Sequence, residues 1–579
     1  MKKPFLPCLG LILCGCFAAK AQQTFTENGE TFKLDTLYPD PTTGATAMNT
    51  PWEVLYGPDD SLWVTEAHNY RIWKIHPGNK GSRMILDLNG KKDFTNPPAW
   101  PQGGLMGLAI HPGFYTGKPW IYIAYVYHLV GCNAGAAPCS YNTKIVRYSY
   151  NAANGSLSYM DDVISGLNGS NDHNSGRLRI DPLVESDGKY HLYYTIGDMG
   201  AGNLANVNRQ NNAQDTTILE GKVLRLNTEP DAAQTGGAEW IPDDNPFPAG
   251  GAATNKSAIY SYGHRNPQGL VFGSVDGGAS YHLYSSEHGD QSDDEVNIIW
   301  PHTNYGWPKV AGLCDDNYTS TTNDSMYLAG KSVINETSFC ATHDVQEPIF
   351  SFYNWSRHDN KVSGALGNMS WPTIAPASIA FYDQGGIPNW RYSLLIPSLK
   401  NGLFRLKLKA DGLSVDSSAA ADTIHYLAGY RLRNITIAPT GDTLFVAVDN
   451  SCCTLGNPGI IGNSVASPGQ GYILRLVYLT VLALKGNPPP EGPSPGDKPS
   501  GVKVYPNPAS KYLRVDCSGE VRNPLLVRLY DMTSRLVFEE QSAGDSFTLD
   551  IHTLKTGIYI FKLYDHGAQL ITTEKIVVF

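Results

Sequence analysis

The sequence predicts an all-β protein, a six-bladed β-propeller followed by a small C-terminal β-sandwich. Three observations carry this. Strand-like runs of five to six residues recur along the chain, each entered from a turn of Gly, Asp, Asn or Pro and ending near a small or acidic residue. Amphipathic helical periodicity is almost absent, and neither a heptad nor a Gly-X-Y repeat occurs. The composition agrees: 58 Gly, 38 Pro, 33 Tyr and 11 Trp in 579 residues of which 17% are charged, which is what many short strands and long ordered loops need. With 41% hydrophobic residues the chain has enough apolar surface to build cores, so global disorder is excluded. A net charge of −10 argues against a nucleic-acid partner, which requires a basic face.

Taken in order, Lys2 and Lys3 precede an apolar run ending in Ala19-Lys20-Ala21. A basic start, a short apolar middle and a small-x-small end predict a signal peptide over 1–21, cleaved before Gln22. Lipoprotein processing at Leu13-Cys14-Gly15-Cys16 is the alternative. The large part, 30–483, carries the repeating signals: Ser61–Glu66 with Arg71–Ile75, Trp120–Tyr125, Tyr190–Thr195 with Lys222–Leu226, Tyr281–Ser286, Ser393–Pro397 and Thr443–Val448. Six such units at about 75 residues each suit a propeller with large insertions, expected at Asp231–Lys256 and Asp315–Gln346; a stack of β-sandwiches is the other fold these signals allow. The run Ile473–Leu484 is too short to span a bilayer and reads as a strand. Residues 484–500 are dominated by Pro, Gly and Ser and read as a linker.

Beyond the linker, 501–579 alternates apolar and polar residues, as in Val502–Tyr505, Leu513–Val515, Val527–Tyr530, Ile558–Leu563 and Lys575–Val578, and predicts a β-sandwich. Tyr505-Pro506-Asn507-Pro508-Ala509, Leu554-Lys555-Thr556-Gly557-Ile558-Tyr559 and the terminal Glu574–Val578 together resemble the C-terminal sorting domain of the type IX secretion system of Bacteroidetes. That resemblance implies type IX secretion machinery as a partner and a secreted or cell-surface location reached through the periplasm. An accessory binding sandwich is the alternative.

Export sets the redox context. Seven of the ten cysteines lie beyond the leader, and in an oxidising compartment disulfides are expected. Cys132/Cys139 would close a short loop and Cys314/Cys340 a longer one. Cys452-Cys453 are adjacent, each able to pair elsewhere or to stiffen their loop, and Cys517 is left over as a buried thiol. Zinc is disfavoured because no Cys-x-x-Cys pair occurs.

Four segments concentrate chemistry. Trp100–Pro112 holds Gln102 ahead of Gly103-Gly104, where backbone can approach a ligand or a neighbouring strand. Asn171–Leu178 holds His173 between Asp172 and Asn174; a turn histidine of this kind is either structural or a neutral base at pH 7. Tyr262–Leu270 holds Arg265, a rigid donor fork for a carboxylate or a quinone oxygen. Ser286–Asn297 places five acidic residues within nine positions, followed by Asn304-Tyr305-Gly306-Trp307-Pro308; this suits Ca²⁺, a hard ion taking oxygen ligands, without being an EF-hand.

These four segments in this order, with Ala375-Pro376-Ala377-Ser378, Leu395–Lys400 and Arg431-Leu432-Arg433, resemble the soluble PQQ-dependent glucose/sorbosone (aldose) dehydrogenases over about 45–480. The resemblance implies a six-bladed propeller binding pyrroloquinoline quinone (PQQ) and Ca²⁺, and an electron acceptor such as a cytochrome. His173 matches the general base for the sugar C1 hydroxyl, Asp172 and Gln102 match positions beside the sugar, and Arg265 matches the residue that polarises the quinone. Asn266, Lys400, Arg431 and Arg433 match cofactor contacts, and three cations suit a cofactor with three carboxylates. Gly289 and Asp290 match the carbonyl pair holding the cofactor's ion; Glu295, Tyr305, Ala311 and Asp315 match a second, structural calcium site. Position 290 is Asp where glucose-oxidising members have Pro, and 288 is His where they have Gln. A non-catalytic carbohydrate- or protein-binding propeller is the alternative function; no paired carboxylates or nucleophile-base motif points to a hydrolase.

Overall fold

The computed structural model describes residues 23–578, except 40–45, 133–137, 186, 204–205, 248–256, 291, 318–334, 355–372, 401, 417–423, 450–470, 480–501, 506–508, 510, 518–524, 532–535, 543, 545, 556 and 565–569. The leader 1–21, the linker 484–500 and Cys452-Cys453 therefore lie outside the described residues, as do parts of both expected insertions.

The chain opens with a hairpin, β1 (Gln23–Glu27) and β2 (Glu30–Tyr38), seven residues ahead of the boundary expected at residue 30. Five four-stranded antiparallel sheets follow in sequence order. They are β3 (Pro51–Tyr56), β4 (Leu62–Glu66), β5 (Arg71–Ile75) and β6 (Ser82–Asp87); β7 (Leu105–Ile110), β8 (Trp120–Cys132), β9 (Cys139–Asn151) and β10 (Ser156–Ser170); and β11 (Leu178–Ile180), β12 (His191–Ile196), β13 (Lys222–Asn227) and β14 (Ile259–Tyr262). Then come β15 (Pro267–Gly273), β16 (His282–Glu287), β17 (Asp294–Ile298) and β18 (Phe350–Phe352), and β19 (Ala380–Tyr382), β20 (Ser393–Ser398), β21 (Gly402–Lys407) and β22 (His425–Tyr426). The sixth sheet takes β23 (Leu432–Ile437), β24 (Thr443–Val448) and β25 (Tyr472–Leu479), and is completed by β2 and β1 from the other end of the chain. Pairing of Thr31 with Leu479 through Asp35 with Arg475 closes the ring with main-chain hydrogen bonds.

The innermost strands β3, β7, β11, β15, β19 and β23 each touch the next, and β23 returns to β3. This is a six-bladed propeller. Each blade interface has its own apolar core: Trp63 and Ile72 against Leu108 and Ile121, Tyr122 and Ile145 against Leu192 and Tyr194, Tyr193 and Val223 against Leu270 and Leu283. The ring continues with Tyr284 and Val296 against Ile379 and Phe404, Tyr382 and Leu403 against Leu444, and Phe445 and Ile473 against Val54 and Leu62. The second strand of a blade is thus covered on both faces, which is why β4 and β12 are buried at every position and read as continuous apolar runs rather than alternating ones.

Polar side chains fill the channel. Arg177, fully buried, donates to Glu53 Oε2 at 2.6 Å, to Gln268 O at 2.8 Å and to Ala377 O at 2.9 Å. Glu53 Oε1 also accepts from Asn434 Nδ2 at 2.8 Å and from Arg179. One ion pair so links the first, third, fourth, fifth and sixth blades.

Helix α1 (Glu336–His343), not anticipated from periodicity, interrupts the fourth blade. Eight residues are too few for an isolated helix; this one is tied by the Cys314–Cys340 disulfide and by Ala311 N donating to Glu336 Oε1 at 2.9 Å. Cys132 and Cys139 pair where β8 and β9 meet.

The C-terminal part comprises β26 (Val502–Tyr505), β27 (Tyr512–Cys517), β28 (Leu525–Asp531), β29 (Leu536–Ser542), β30 (Ser546–Asp550), β31 (Gly557–Tyr564) and β32 (Leu570–Val578). They form sheets of order β26-β27-β30 and β29-β28-β31-β32 around Leu513, Val515, Val527, Leu529, Leu549, Phe561 and Ile576. This is the expected sandwich; β29 and β30 lacked a strong alternating signal because their side chains are mostly exposed or half-buried. Cys517 is buried and forms no disulfide.

Candidate active site

The segment before β11 folds back on itself, with His173 at φ 52°, Ser175 at φ 56° and Gly176 at φ 96°. Left-handed backbone at His173 and again at Ser175 and Gly176 turns the chain sharply, and the His173 main chain needs room. A Cβ on Gly197 would lie 2.1 Å from His173 O, so only glycine fits there. Asn174 Nδ2 holds the turn by donating to Ser170 O at 2.7 Å and to Gln102 O at 2.9 Å, and Ser175 Oγ donates to Asn266 Oδ1 at 3.0 Å.

His173 is 5% exposed, and its Nδ1 lies 2.7 Å from Asp198 Oδ1. Asp198 lies two residues past the end of β12, and both of its carboxylate oxygens accept hydrogen bonds. Gly200 N donates to Oδ1 at 3.0 Å, while Trp307 Nε1 at 2.8 Å and Asn211 Nδ2 at 3.0 Å donate to Oδ2. A carboxylate fixed in this way accepts the Nδ1 proton and leaves the Nε2 lone pair for chemistry. Nε2 faces Asp172 Oδ2 at 3.7 Å and Asn203 Nδ2 at 3.4 Å. Gln102 completes the wall, donating from Nε2 to Asp172 Oδ1 at 3.2 Å and accepting Asn174 N at 3.0 Å.

The turn between β14 and β15 supplies Arg265 and Asn266. Glu287, at the end of β16, organises it by accepting both backbone N–H groups and His264 Nδ1. Asp198 N donates to Arg265 O at 2.8 Å, locking the two turns together. The Arg265 guanidinium lies over the Trp307 ring at 5.3 Å and meets His288 O at 3.4 Å and Asp290 Oδ1 at 3.3 Å. The acidic side chain at 290 therefore turns towards Arg265. Burial, then the nearby Arg265 charge, holds the His288 pKa well below the usual value, so that ring is neutral.

Lys400, Arg431 and Arg433 come from the fifth and sixth blades. Lys400 Nζ donates to Thr373 Oγ1 at 2.5 Å, and burial pulls its pKa down to about 8. Arg431 Nε donates to Asp449 Oδ1 at 3.2 Å; Arg433 Nε donates to Asp449 Oδ2 at 2.5 Å and its NH1 to Gln268 Oε1 at 2.7 Å.

Three nitrogen atoms in this region, Arg265 Nε, Asn266 Nδ2 and His288 Nε2, are buried without a hydrogen-bond partner among the described residues. Buried polar atoms are normally satisfied. With the cations, they are what an anionic, carbonyl-bearing ligand would engage, so these residues fit a cofactor such as PQQ.

The acidic segment 289–297 carries the opposite imbalance. Asp293 and Glu295 lie against Gly312 in the loop that follows β17, whereas Asp294 accepts the backbone N–H groups of Gly289, Ile374 and Ala375. Burial lifts Asp293 to about 7 and Glu295 well above its usual value, and neither pairs with Lys or Arg among the described residues. Glu295 Oε1 accepts Gly312 N at 2.9 Å, beside Ala311, whose N–H goes to Glu336. This set fits a cation. Tyr305 lends its phenol to Ile298 O at 2.6 Å, and the Asp315 carboxylate is exposed and held by Asn317, so those side chains are not gathered onto Glu295.

Asp198, Asp449 and Glu336 were not singled out from the sequence, and Glu287 and Trp307 stood in the acidic segment and its sequel without a role of their own. For three of them a signal existed: Asp198, Glu287 and Asp449 each lie at or within two residues of the end of a buried second strand.

Residues 48–456 match the glucose / sorbosone dehydrogenase family. The chain belongs to that family. Residues 503–579 match the secretion system C-terminal sorting domain. Quinoprotein glucose dehydrogenase B of Acinetobacter calcoaceticus is 33% identical over 462 residues, covering 74% of this dehydrogenase-family chain and 89% of that protein. Aldose sugar dehydrogenase YliI of Escherichia coli (strain K12) is 26% identical over 413 residues, 70% of this chain and 88% of its own. The solved PQQ-bound aldose sugar dehydrogenase of Streptomyces coelicolor is 25% identical with a TM-score of 0.46, covering 77% of this chain and 98% of its own.

Proposed function

We propose that this protein is an exported, PQQ- and Ca²⁺-dependent dehydrogenase that oxidises an aldose or related sugar at C1. The observation supporting it most is the pairing, in one mouth of the propeller, of an Asp198-bound His173 with unsatisfied donors on Arg265 and Asn266.

Lys400, Arg431 and Arg433 would hold the cofactor's carboxylates, and Asn266 and Arg265 its polar edge. Gly289 and Asp290 would offer carbonyl oxygens to its calcium ion. Glu295, Ala311, Tyr305 and Asp315 would contribute to a second calcium site, the last two through backbone or a rearranged turn. PQQ, when bound there, would supply an electrophilic quinone as the acceptor for the C1 hydride. His173 Nε2 takes the proton of the C1 hydroxyl, and Asp198 stabilises the imidazolium that results. Asp172 and Gln102 orient the sugar through its hydroxyl groups. Arg265 places a fixed positive charge where negative charge develops, without reorganising at the moment of reaction. An external acceptor such as a cytochrome would be needed to take the electrons away. The sorting domain directs the enzyme through the type IX machinery to the cell surface or beyond.

His173→Ala tests the base. General-base removal typically costs 10²–10⁴-fold, so turnover with an aldose and a dye acceptor should fall about 10³-fold while PQQ affinity changes little. Loss of PQQ binding in a folded variant would overturn the assignment. Failure of the wild type to bind PQQ with calcium present would favour the carbohydrate- or protein-binding propeller.

A further inference from the structure

The far end of the third blade carries a second cluster that the reaction does not use. His191 begins β12, whereas Asp198, the partner of His173, follows its other end. Six residues of strand at about 3.3 Å each put roughly 17 Å or more between them. His191 is buried, and its Nδ1 lies 3.6 Å from Asp181 Oδ2 and 3.3 Å from Glu185 Oε1. One donor atom from each of the three residues falls within 4.8 Å of the others. Donors around one zinc-sized ion, each at about 2.0–2.2 Å from it, stand roughly 3.0–3.5 Å apart, close to these separations.

Two further observations point to a ligand. Asp181 is 4% exposed, and among the described residues its Oδ2 has no hydrogen-bond partner, its Oδ1 being taken by His191 N at 2.8 Å. On the opposite side of the imidazole, Nε2 meets Asp187 Oδ2 at 3.2 Å. A carboxylate behind the ring that accepts the Nε2 proton leaves Nδ1 as a lone-pair donor, the second-layer arrangement that orients histidine ligands in metal sites. Arg225 fixes the remaining oxygen of Glu185, donating to Oε2 at 2.5 Å, and is itself tied to Asp244 at 2.6 Å.

We propose that Asp181, Glu185 and His191 form a site for a first-row divalent transition-metal ion, with Asp187 positioning the histidine. One imidazole and two carboxylates suit Zn²⁺, Co²⁺ or Mn²⁺ rather than an ion wanting thiolates or an all-oxygen shell. The ion would clip the loop between β11 and β12 onto the start of β12. Without an ion, His191 Nδ1 faces the Asp181 and Glu185 carboxylates directly, and ligands of these types bind a metal in their deprotonated forms. Arg225 NH2, 3.2 Å from Nδ1, also faces the site and must yield slightly. An incoming ion therefore displaces protons.

The full chain, saturated with Ca²⁺, is titrated with Co²⁺ at pH 7, following visible absorbance and proton release. One equivalent should bind with visible d–d bands, release of about one to two protons and a higher Tm. Asp181→Asn should abolish that equivalent, and Asp187→Asn should weaken it about tenfold. Because His191→Ala could fail to fold, circular dichroism accompanies each variant and the two Asp variants carry the test. Absence of bands and proton release in the wild type, or equal Co²⁺ uptake by the folded Asp181→Asn variant, would overturn the proposal and leave a plain ion-pair network.

Discussion

The channel and its mouth both bury charge, but they balance it differently. In the channel, Arg177 and Glu53 neutralise each other, and their remaining hydrogen-bonding atoms reach Gln268, Ala377 and Asn434. At the mouth, among the described residues, Arg265, Lys400, Arg431 and Arg433 outnumber the carboxylates that act on them, Asp290, Asp449 and Asp294. A few residues away Asp293 and Glu295 show the reverse excess. A buried ion pair that closes on itself holds a fold together; a buried excess of one sign is costly unless something of the other sign arrives. The difference separates scaffold from site without reference to any relative.

The largest effect should come from unbalancing the channel. Glu53→Gln leaves Arg177 uncompensated, and breaking one partner of a buried pair costs about 3–5 kcal/mol. Urea unfolding should show this, with kcat per folded molecule changed little; a loss below 1 kcal/mol would mean the hub is not a scaffold. Next is Asp198→Asn, which keeps the shape but weakens the hold on the His173 tautomer. Turnover should fall about 100-fold or more, with Tm nearly unchanged. A stability loss without a turnover loss would move Asp198 into the scaffold class.

Chelation tests the acidic excess. Asp293 has a folded pKa raised by burial to about 7, so its contribution to stability is complete below the unfolded carboxylate range and is lost as pH rises through about 7. After chelation, Tm should therefore fall between pH 5 and 8, and added Ca²⁺ should restore it most at pH 8. A calcium effect independent of pH would separate Asp293 from the ion. The smallest effect concerns Lys400. Its ammonium, at about 8 through burial, loses its proton above that pH. PQQ affinity in the apo-protein should weaken severalfold from pH 7 to pH 9, and Lys400→Arg should flatten that slope.

Much of this was legible in the chain. Strand signals such as Thr443–Val448 and Lys222–Leu226 fell on β24 and β13, because strands clamped between two blades are rich in buried apolar residues, the polar ones of β13 being hydrogen-bonded. His173 and Arg265 stood out because turn residues flanked by Gly and Asn advertise themselves locally. Glu336 did not, since its helix has no periodic face and is held by a disulfide and by its link to Ala311. Asp198 and Asp449 carried only the weak mark of an acidic residue at a strand end.

The sequence by itself determined the number of repeating units, the division into propeller and sandwich, and which turns carry reactive side chains, because these follow from local periodicity and turn chemistry; that each blade has four strands did not show in it. Only the tertiary structure decided partners. That His173 meets Asp198, that Arg433 shares Asp449 with Arg431, that Asp290 turns to Arg265, and that His191 gathers Asp181 and Glu185 all depend on how blades and loops converge, and convergence across the ring is fixed by packing between segments that local sequence cannot relate.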